Sequence, residues 1–335
     1  MHLSEAAARG AENVIAQCLA VREGERIAIL SWRTRELAPL LAVACRRVGA
    51  QPQTHDAEDV PNPAALVEKA IADASASVLL AAHGVPPALS MAMLDLARRR
   101  SLRHLHLTRA DLRLFEQSYR AEPSRIADLN ARIREVLARA RTVEARGKNG
   151  TSISVQISSA LPLLSSDGRP IAGKPDNLPS GFVFFHPASV SGRIVADRGL
   201  IGAIRVGRDR LARTPVTFEI EAGALRSFST TDAALRAEIE SYLAAHPSAG
   251  KVGLVSLPTN YLIRTESGLE VQDALLPGLG ISLGYSDHEQ TRAPFSCPIQ
   301  LRILSRKLDV VAGGQTLVAA GRMADDLVKG IDPFR

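Results

Sequence analysis

Apolar and polar residues in the first 140 positions alternate between helix-like and strand-like spacing. Ser4 can cap a first helix, whose apolar side chains recur at helical spacing as far as Leu19. Further apolar runs predict strands over 26–30, 77–82 and 102–107, and helices over 37–48, 87–99 and 124–140. Strands that alternate with helices indicate a parallel sheet covered on both faces. We therefore expect residues 1–140 to form an α/β N-terminal domain with a parallel sheet, layered like flavodoxin or Rossmann folds.

From about residue 141 the pattern changes to that of antiparallel strands. Residues 152–157 alternate strictly between polar and apolar side chains, as a half-buried strand does. Similar segments predict strands over 217–221, 251–257, 301–304 and 308–311, with one helix over 233–245. We therefore expect residues 141–335 to form a β-rich α+β C-terminal domain. Its long loop over 165–179 is typical of functional loops.

The composition is that of a soluble globular protein, with 46% apolar and 23% charged residues. A chain of 335 residues is long enough for two domains. No apolar run approaches the ~20 residues that cross a bilayer. The segment Met1 to Glu5 lacks the pattern of a secretory signal. We expect a cytoplasmic protein that does not bind membranes.

Charge and cysteine content bear on further classes of protein. The net charge of +6 makes nucleic-acid binding one alternative, but the arginines are spread along the chain without an RRM, KH or helix-turn-helix signature. Cys18, Cys45 and Cys297 are too few and too far apart for a disulfide framework or a CxxC metal site. No glycine-rich fingerprint follows a predicted strand, so no nucleotide cofactor is expected. Nucleic acid is the least supported class of partner.

The segment Asn177 to Pro187 reads Asn-Leu-Pro-Ser-Gly-Phe-Val-Phe-Phe-His-Pro. It resembles the Asn-(Ile/Leu)-Pro-(Ser/Thr)-Gly-Glu-Val-(Phe/Tyr) segment of the leucyl aminopeptidase (aminopeptidase T) family, which is structurally akin to the iron enzyme 2,5-dihydroxypyridine 5,6-dioxygenase. The opening Asn13 to Ile29 resembles the family's "helix, Gly-Glu, strand" start. The resemblance implies that residues 141–335 carry the inherited active-site cleft. It also implies a homodimer, in which pairing between subunits can protect sheet edges.

The resemblance further implies which residues stand at the family's metal-ligand positions. Phe182 replaces the glutamate of the Gly-Glu-Val-Phe element, and Leu254 replaces a second glutamate. Gly280 stands at a histidine, and Pro298 and Gln300 stand at the ends of a His-x-Asp element. None of the five residues is of the ligand type that the family has at that position. A divalent site needs roughly three to six N, O or S donors, so the five positions do not supply a metal site. We therefore expect no metal and no other cofactor.

The function that follows from this comparison is recognition or metal-free processing of a peptide-like or small aromatic ligand. Such a protein could be a peptide-binding helper in a biosynthetic pathway. Substrate-binding candidates on the floor of the inherited cleft are Phe182, Phe184, Leu254, Asn260 and Gln300. Candidates for proton transfer are His186, Tyr285, Asp287 and His288.

Two other classes stay open. A metal-dependent hydrolase or ring-cleaving dioxygenase could have a relocated site built from His186, Asp287, His288 and Glu289. A structural role without catalytic function is also open for these residues. The Asp-His-Glu run would then be a solvated turn, and His186 would pack at the end of a strand. His104 and His106 share a face of one predicted strand, yet no third donor lies near them in the sequence. A nucleic-acid-binding protein rests on basicity alone.

Overall fold

The computed structural model describes residues 4–58, 60–83 and 85–333. Its strands are β1 (Arg26–Trp32), β2 (Gln51–Asp56), β3 (Ala76–Ala81), β4 (Arg103–Thr108), β5 (Thr142–Arg146), β6 (Ser152–Gln156), β7 (Leu164–Ser166), β8 (Asp176–Leu178), β9 (Phe182–Phe185), β10 (Ser189–Ala196), β11 (Gly199–Gly202), β12 (Val216–Glu221), β13 (Ala224–Ser229), β14 (Val252–Pro258), β15 (Gly280–Gly284), β16 (Gln300–Leu304), β17 (Asp309–Ala312), β18 (Gln315–Ala319) and β19 (Arg322–Met323). Its α-helices are α1 (Glu5–Asn13), α2 (Ala38–Arg47), α3 (Pro63–Ala70), α4 (Pro87–Arg99), α5 (Leu112–Glu116), α6 (Pro123–Arg139), α7 (Arg208–Leu211), α8 (Ala233–Ala244), α9 (Glu270–Asp273), α10 (His288–Thr291) and α11 (Asp325–Val328). A π-helical turn, Val14–Cys18, continues α1, and a 3₁₀ turn, Ser118–Arg120, follows α5.

The first compact unit comprises Met1–Ile126 and Ser166–Gly181. Its sheet has the order β2-β1-β3-β4-β8, and every pairing in it is parallel. Helices connect successive strands as the alternating pattern predicts, so the expected α/β N-terminal fold is confirmed.

The division of the chain differs from the expected boundary at residue 140. The first unit ends at Ile126, and the segment Ser166–Gly181 returns to it. The cause is β8, which pairs with β4 through Leu105 and Asp176 and so joins the first sheet. The long loop expected over 165–179 is therefore partly a strand. Such a pairing between distant segments leaves no mark in local periodicity.

Strand β2 escapes prediction because it lies at the edge of its sheet. Its residues, Gln-Pro-Gln-Thr-His-Asp, are exposed or half-buried, without an apolar alternation. Pro52 interrupts it, which edge strands tolerate. The strand forms by parallel pairing with the buried β1. The pairing with β1 therefore forms this strand without the alternation of apolar and polar residues that predicts most strands.

The second unit comprises Ala127–Ser165 and Phe182–Arg335. An eight-stranded sheet has the order β13-β12-β10-β6-β5-β17-β18-β19, and a six-stranded sheet has the order β11-β16-β15-β14-β9-β7. All pairings given by register in both sheets are antiparallel. The expected β-rich α+β fold of the C-terminal part is confirmed. Among the residues that the structure describes, no helix is both long and apolar enough to cross a membrane.

The six-stranded sheet has two chemically different faces, and this difference positions the candidate site. On one face the residues are buried and apolar, namely Val183, Phe185, Val255, Leu257, Ile281, Leu283, Leu301 and Ile303. Because successive side chains of a strand point to opposite faces, their neighbours in sequence form the other face. That second face mixes aromatic, small and polar side chains.

His104 and His106 lie on β4 of the first unit, where the burial of their rings governs their protonation. Their residues are 0% and 5% exposed, and His104 Nδ1 lies 2.9 Å from the Ser77 hydroxyl. Burial, reinforced by the neighbouring His106, lowers the pKa of His104 to about 3. Burial lowers the pKa of His106 to about 4. Both rings are therefore neutral in the folded protein near neutral pH, and their placement in a core favours packing over metal binding.

We expect the first unit to lose stability as the pH falls from about 6.5 towards 4. The unfolded chain takes up a proton at each of these histidines near pH 6.5, whereas the folded state does so only near their lowered pKa values. Each histidine should thus remove roughly 1.6 kcal/mol between pH 6.5 and pH 5. Thermal unfolding followed by the fluorescence of Trp32, the one tryptophan of the chain, reports on this unit.

The variant His106→Leu should flatten this pH dependence. His83→Gln is the matched control, because His83 lies in the same unit and is exposed. Equal acid sensitivity in the native protein and in both variants would contradict the assignment.

Candidate functional site

Four of the five positions matched to metal ligands share the second face of the six-stranded sheet. They are Phe182, Leu254, Gly280 and Gln300. The register places Leu254 opposite Ser282 and Gly280 opposite Ser256, and residues opposite each other in paired strands face the same way. The fifth position, Pro298, precedes β16 and is exposed. The structure thus gathers on one surface what the sequence scatters over more than a hundred residues.

The four positions do not converge on one point. Phe182 lies opposite Pro258, at one end of β14. Leu254 precedes Pro258 by four residues on this strand, which separates the two residues by about 13 Å at the rise of a strand. Gly280 is opposite Ser256, midway between them. The middle of this face is therefore formed by Gly280 and Ser256.

The guanidinium of Arg302 occupies the space above Gly280. A Cβ atom added to Gly280 would lie 2.8 Å from Ser256 Oγ and 3.0 Å from Arg302 Nε. Arg302 donates through Nη2 to Ser256 Oγ at 3.0 Å and to the Ala274 carbonyl at 3.3 Å. Its buried Nε has no hydrogen-bond partner in the part of the chain that the structure describes. The absence of a side chain at residue 280 makes room for a fixed positive charge.

This face does not fit the divalent metal that the resemblance implies. Ser256, Ser282 and Gln300 supply neutral donors, whereas Arg302 carries a charge that repels a cation. Burial lowers the pKa of Arg302 to about 10, so the guanidinium stays protonated at neutral pH. Zinc and iron sites rely mainly on thiolate, imidazole and carboxylate ligands. Within residues 4–58, 60–83 and 85–333, no group of three or more His, Cys, Asp or Glu side chains could hold a metal ion.

Two aromatic side chains of β9 share this face of the sheet with Arg302. The rings of Phe182 and Phe184 lie 5.5 Å apart and are half-buried. Phe182 packs against a small apolar cluster of Ile263, Leu275 and Leu276. Leu254, 8% exposed, is on the same face. An apolar wall beside a buried cation suits a ligand with both an apolar body and a negative group.

The amide of Gln300 completes the polar part of this face. Its Nε2 donates to Ser282 Oγ at 3.1 Å, and Ser282 is opposite Arg302 in the register. The hydroxyls of Ser256 and Ser282 are thus held between neighbouring polar side chains. These hydrogen bonds hold the two serine hydroxyls in fixed positions beside the guanidinium.

His186 lies at the end of β9 and is oriented by the backbone. Its Nδ1 lies 2.8 Å from the Gly253 carbonyl oxygen. Because that oxygen can only accept, Nδ1 carries the proton and donates the hydrogen bond. Its ring packs edge-on against Phe295 with centroids 5.7 Å apart. The residue is 8% exposed. A ring held at Nδ1 keeps Nε2 as the acceptor, the arrangement that a general base requires.

The backbone of Gly253 contacts both His186 and the segment that begins at Tyr285 and contains Asp287 and His288. A Cβ atom at Gly253 would lie 2.2 Å from the Tyr285 carbonyl, so glycine permits the close approach. Asp287 adopts a left-handed conformation at φ 47°, and His288 is exposed. Burial raises the pKa of Asp287, while hydrogen bonds from Gln290 and Tyr285 act in the opposite direction. Tyr285 and Asp287 are therefore brought together.

The cysteine Cys297 and the substrate-binding candidate Asn260 have other surroundings. Cys297 is buried, and its thiol lies 3.5 Å from the Ile299 carbonyl, as a packed thiol does. Asn260 is 2% exposed and lines a cavity of about 1060 Å³ at the end of β14. The other predicted site residues are not among those that line this cavity.

Sequence reasoning missed Arg302 and Ser256, which form the centre of the face. Neither residue belongs to a recognisable motif. Two features could have pointed to them, since Ser256 and Arg302 each interrupt an otherwise apolar strand segment. A polar residue inside a buried strand requires a partner, and here each is the partner of the other.

Comparison with known proteins supports the resemblance found in the sequence. Residues 118–249 match the family model of NicX, 2,5-dihydroxypyridine 5,6-dioxygenase. A comparison with curated protein sequences gives no match.

Two solved structures are similar in fold across nearly the whole chain. The 2,5-dihydroxypyridine dioxygenase of Pseudomonas putida KT2440 has 17% identity and a TM-score of 0.69, with 96% of this chain and 98% of that chain covered. Wild-type AmpT from Thermus thermophilus has 17% identity and a TM-score of 0.66, with 95% and 99% covered. Together with the family model, they confirm the predicted resemblance to the aminopeptidase T and dihydroxypyridine dioxygenase family.

The variant Gly280→His, which restores the family's residue type, should destabilise the second unit by about 1–3 kcal/mol, because the new side chain collides with Ser256 and Arg302. Combining it with Arg302→Ala should be less damaging than the sum of the two single changes, since the space is then free. Chemical denaturation of the three variants measures this coupling.

Gly207→His is the matched control for this cycle. A Cβ atom at Gly207 has nothing within 4 Å, and neither glycine has a left-handed backbone. Strictly additive effects of Gly280→His and Arg302→Ala would show that Arg302 does not occupy the position of the missing side chain.

Proposed function

We propose that the chain has lost the metal centre of its relatives and binds a peptide-like or small aromatic ligand that carries a carboxylate. The observation that carries this proposal is the Arg302 guanidinium above Gly280, beside an apolar wall. In this arrangement the protein itself supplies the positive charge. The ligand's apolar body would pack against Phe182, Phe184 and Leu254.

The chemistry of Arg302 favours a carboxylate over a neutral group. A guanidinium presents its donors in a planar fork that matches a carboxylate in two parallel hydrogen bonds. Its Nε is buried and, among the described residues, makes no hydrogen bond. A ligand oxygen at that nitrogen would replace the water that burial removes. Ser282 and Gln300, held next to it, would fix the orientation of the bound group.

Metal-free processing of such a ligand is the second element of the proposal. His186, with Nδ1 committed to the backbone, has the orientation of a general base. Tyr285 and Asp287 share a hydrogen bond in the adjoining loop, and burial raises the pKa of Asp287 above its usual value. His288 is exposed at the start of α10, directly after this loop. These groups could move protons on a ligand held by Arg302.

The competing metal-dependent class has weaker support. It requires His186, Asp287, His288 and Glu289 to converge. Among the described side chains, no three or more His, Cys, Asp or Glu residues form a group that could hold a metal ion. His288 and Glu289 are exposed on the short helix α10, whereas His186 is buried against Phe295.

Nucleic-acid binding is also weakly supported by the surface arginines. In the densest basic cluster, Arg103 bonds to Glu25 at 2.6 Å, and Arg98 lies 3.9 Å from Asp95. Arg100 donates to the Ala72 carbonyl at 3.0 Å. Cations that are already paired offer less to a phosphate backbone.

The test is ligand binding to chelator-treated protein, with metal content measured alongside. We expect far less than one equivalent of Zn, Fe, Mn or Co, and no change in thermal stability on chelation. The dipeptide Phe-Leu should bind at least about tenfold more tightly than its C-terminal amide, which is a difference of about 1.4 kcal/mol. A stoichiometric metal that survives dialysis and is needed for binding would favour the metal-dependent alternative.

Variants assign the effect to the proposed face. Arg302→Gln should abolish the preference for the free carboxylate, and Phe182→Glu should weaken both peptides by placing a carboxylate among apolar side chains. Arg193→Gln is the control, since Arg193 is exposed and pairs with Glu219 on the other sheet. A carboxylate preference that persists in Arg302→Gln would refute the role of this residue.

We also propose a homodimer, as the resemblance implies. The second unit exposes sheet edges at β13 and β7 within its described strands, and pairing between subunits protects such edges. Light scattering should give about twice the chain mass of 35.8 kDa at micromolar concentration. A mass of one chain under these conditions would refute the dimer.

A further inference from the structure

A second feature of the same unit is a cavity that Arg302 does not line. This cavity of about 1060 Å³ opens where β14 and β16 end and the segment after β14 folds back. Its volume slightly exceeds the usual range of about 300–1,000 Å³ for small-ligand pockets. The residues that surround it come from several loops, so the fold assembles the cavity from distant parts of the sequence.

Positive charges outnumber negative charges around this cavity. The cationic lining residues are Lys148, Arg198, Arg208, Arg264, Arg306, Lys307 and Arg322. The acidic lining residues are Asp197, Glu266, Asp309 and Asp332. The lining therefore has three more cations than carboxylates. A local excess of charge of one sign attracts a ligand of the opposite sign.

Glu266 is shared by three guanidinium groups. Its carboxylate lies 2.8 Å from Arg306 Nε, 3.2 Å from Arg208 Nη1 and 3.8 Å from Arg198 Nε. The Glu266 side chain is only 14% exposed, so water screens this cluster weakly. Arg208 also pairs with the exposed Asp209 at 3.2 Å, so two carboxylates contact the three guanidinium groups. The cluster is left with a net positive charge in a partly buried place.

Arg198 is the least satisfied of the three. The residue is 8% exposed, and its Nε makes no hydrogen bond within the part of the chain that the structure describes. The distance to Glu266 is too long for a hydrogen bond. Burial lowers the pKa of Arg198, although nearby carboxylates, first Glu266 and then Asp197, act against this. A buried guanidinium without full pairing is costly unless another group pairs with it.

The remaining carboxylates of the lining are already engaged. Asp197 accepts from the backbone N–H of Arg306 at 2.8 Å, and Asp309 accepts from that of Ala320 at 2.6 Å. Asp332 forms an ion pair with Arg264. These carboxylates therefore have less capacity left for Arg198.

The rim of the cavity adds exposed cations. Lys148, Lys307 and Arg322 are exposed, and none forms an ion pair within the described residues. Flexible cations at an entrance attract an anion before it reaches the buried groups. Ile263 and Leu276 also line the cavity and pack against Phe182. The lining thus combines a cationic end with an apolar wall.

We infer that this cavity binds a small organic oxyanion with two or more negative charges, either a phosphate ester or a polycarboxylate. The buried Arg198, with Arg208 and Arg306, would bind the oxyanion, and the apolar wall would contact the rest of the molecule. Arginine is suited to this role because its fork of donors matches phosphate and carboxylate oxygens equally. This inference does not depend on the ligand proposed for the Arg302 face.

Isothermal titration calorimetry of the full chain tests the inference with pyrophosphate and citrate as probes and acetate as a singly charged comparison. We expect pyrophosphate, citrate or both to bind at least tenfold more tightly than acetate. Binding of pyrophosphate alone identifies a phosphate ligand, and binding of citrate alone identifies a polycarboxylate. If neither probe binds more tightly than acetate, the inference is overturned.

Variants locate the binding. Arg198→Met should weaken the tighter probe at least tenfold, and should not lower the melting temperature without probe, because it removes an incompletely paired buried charge. Arg306→Gln should also weaken binding and supplies the test if Arg198→Met does not fold. Arg226→Gln is the matched control, since Arg226 is 72% exposed and pairs with Glu221. Binding that is equal in Arg306→Gln and in Arg226→Gln places the anion elsewhere and overturns the inference.

Discussion

The hydrogen bond between Arg302 and Ser256 can form only because residue 280 has no side chain. The middle of the six-stranded sheet is thus organised around a guanidinium. Neighbouring groups adapt to that charge, since the Ala274 carbonyl accepts from it and Ser282 is held beside it by Gln300. A cation fixed by covalent attachment needs no ligand shell, unlike a metal ion. A sheet face of this kind can therefore lose carboxylates and imidazoles without losing its positive centre.

Arg302 and Arg198 share one property, a guanidinium group that is buried without full hydrogen bonding. Each has a buried Nε without a hydrogen-bond partner among the described residues. Burying a charged group incompletely paired reduces stability, and folded proteins tolerate few such groups. Their environments differ, because Arg302 bonds to Ser256, which lies opposite Phe184, whereas Arg198 belongs to a cluster of cations around Glu266. The first arrangement suits one negative group on an apolar ligand, and the second suits a multiply charged one.

Much of the fold follows from local periodicity. The helix predicted over 87–99 coincides with α4, and the strand predicted over 77–82 differs from β3 by one residue at each end. These elements have apolar residues at the spacing that their burial requires. Periodicity fails where burial does not decide the structure. The edge strand β2 is polar, and β8 joins the first sheet through a pairing with β4 from a distant part of the chain.

The sequence by itself determined the fold class of both halves and the resemblance carried by the segment from Asn177, because both depend on residue types at fixed local spacing. It also indicated which positions differ from the family's ligands, and four of these share one face. The tertiary structure alone decided what stands among them. Strand pairing brings Arg302 of β16 across β15 to Ser256 of β14, and loop folding brings Arg198 and Arg306 to Glu266. Such contacts depend on register and loop geometry between distant segments, which residue spacing along the chain does not encode.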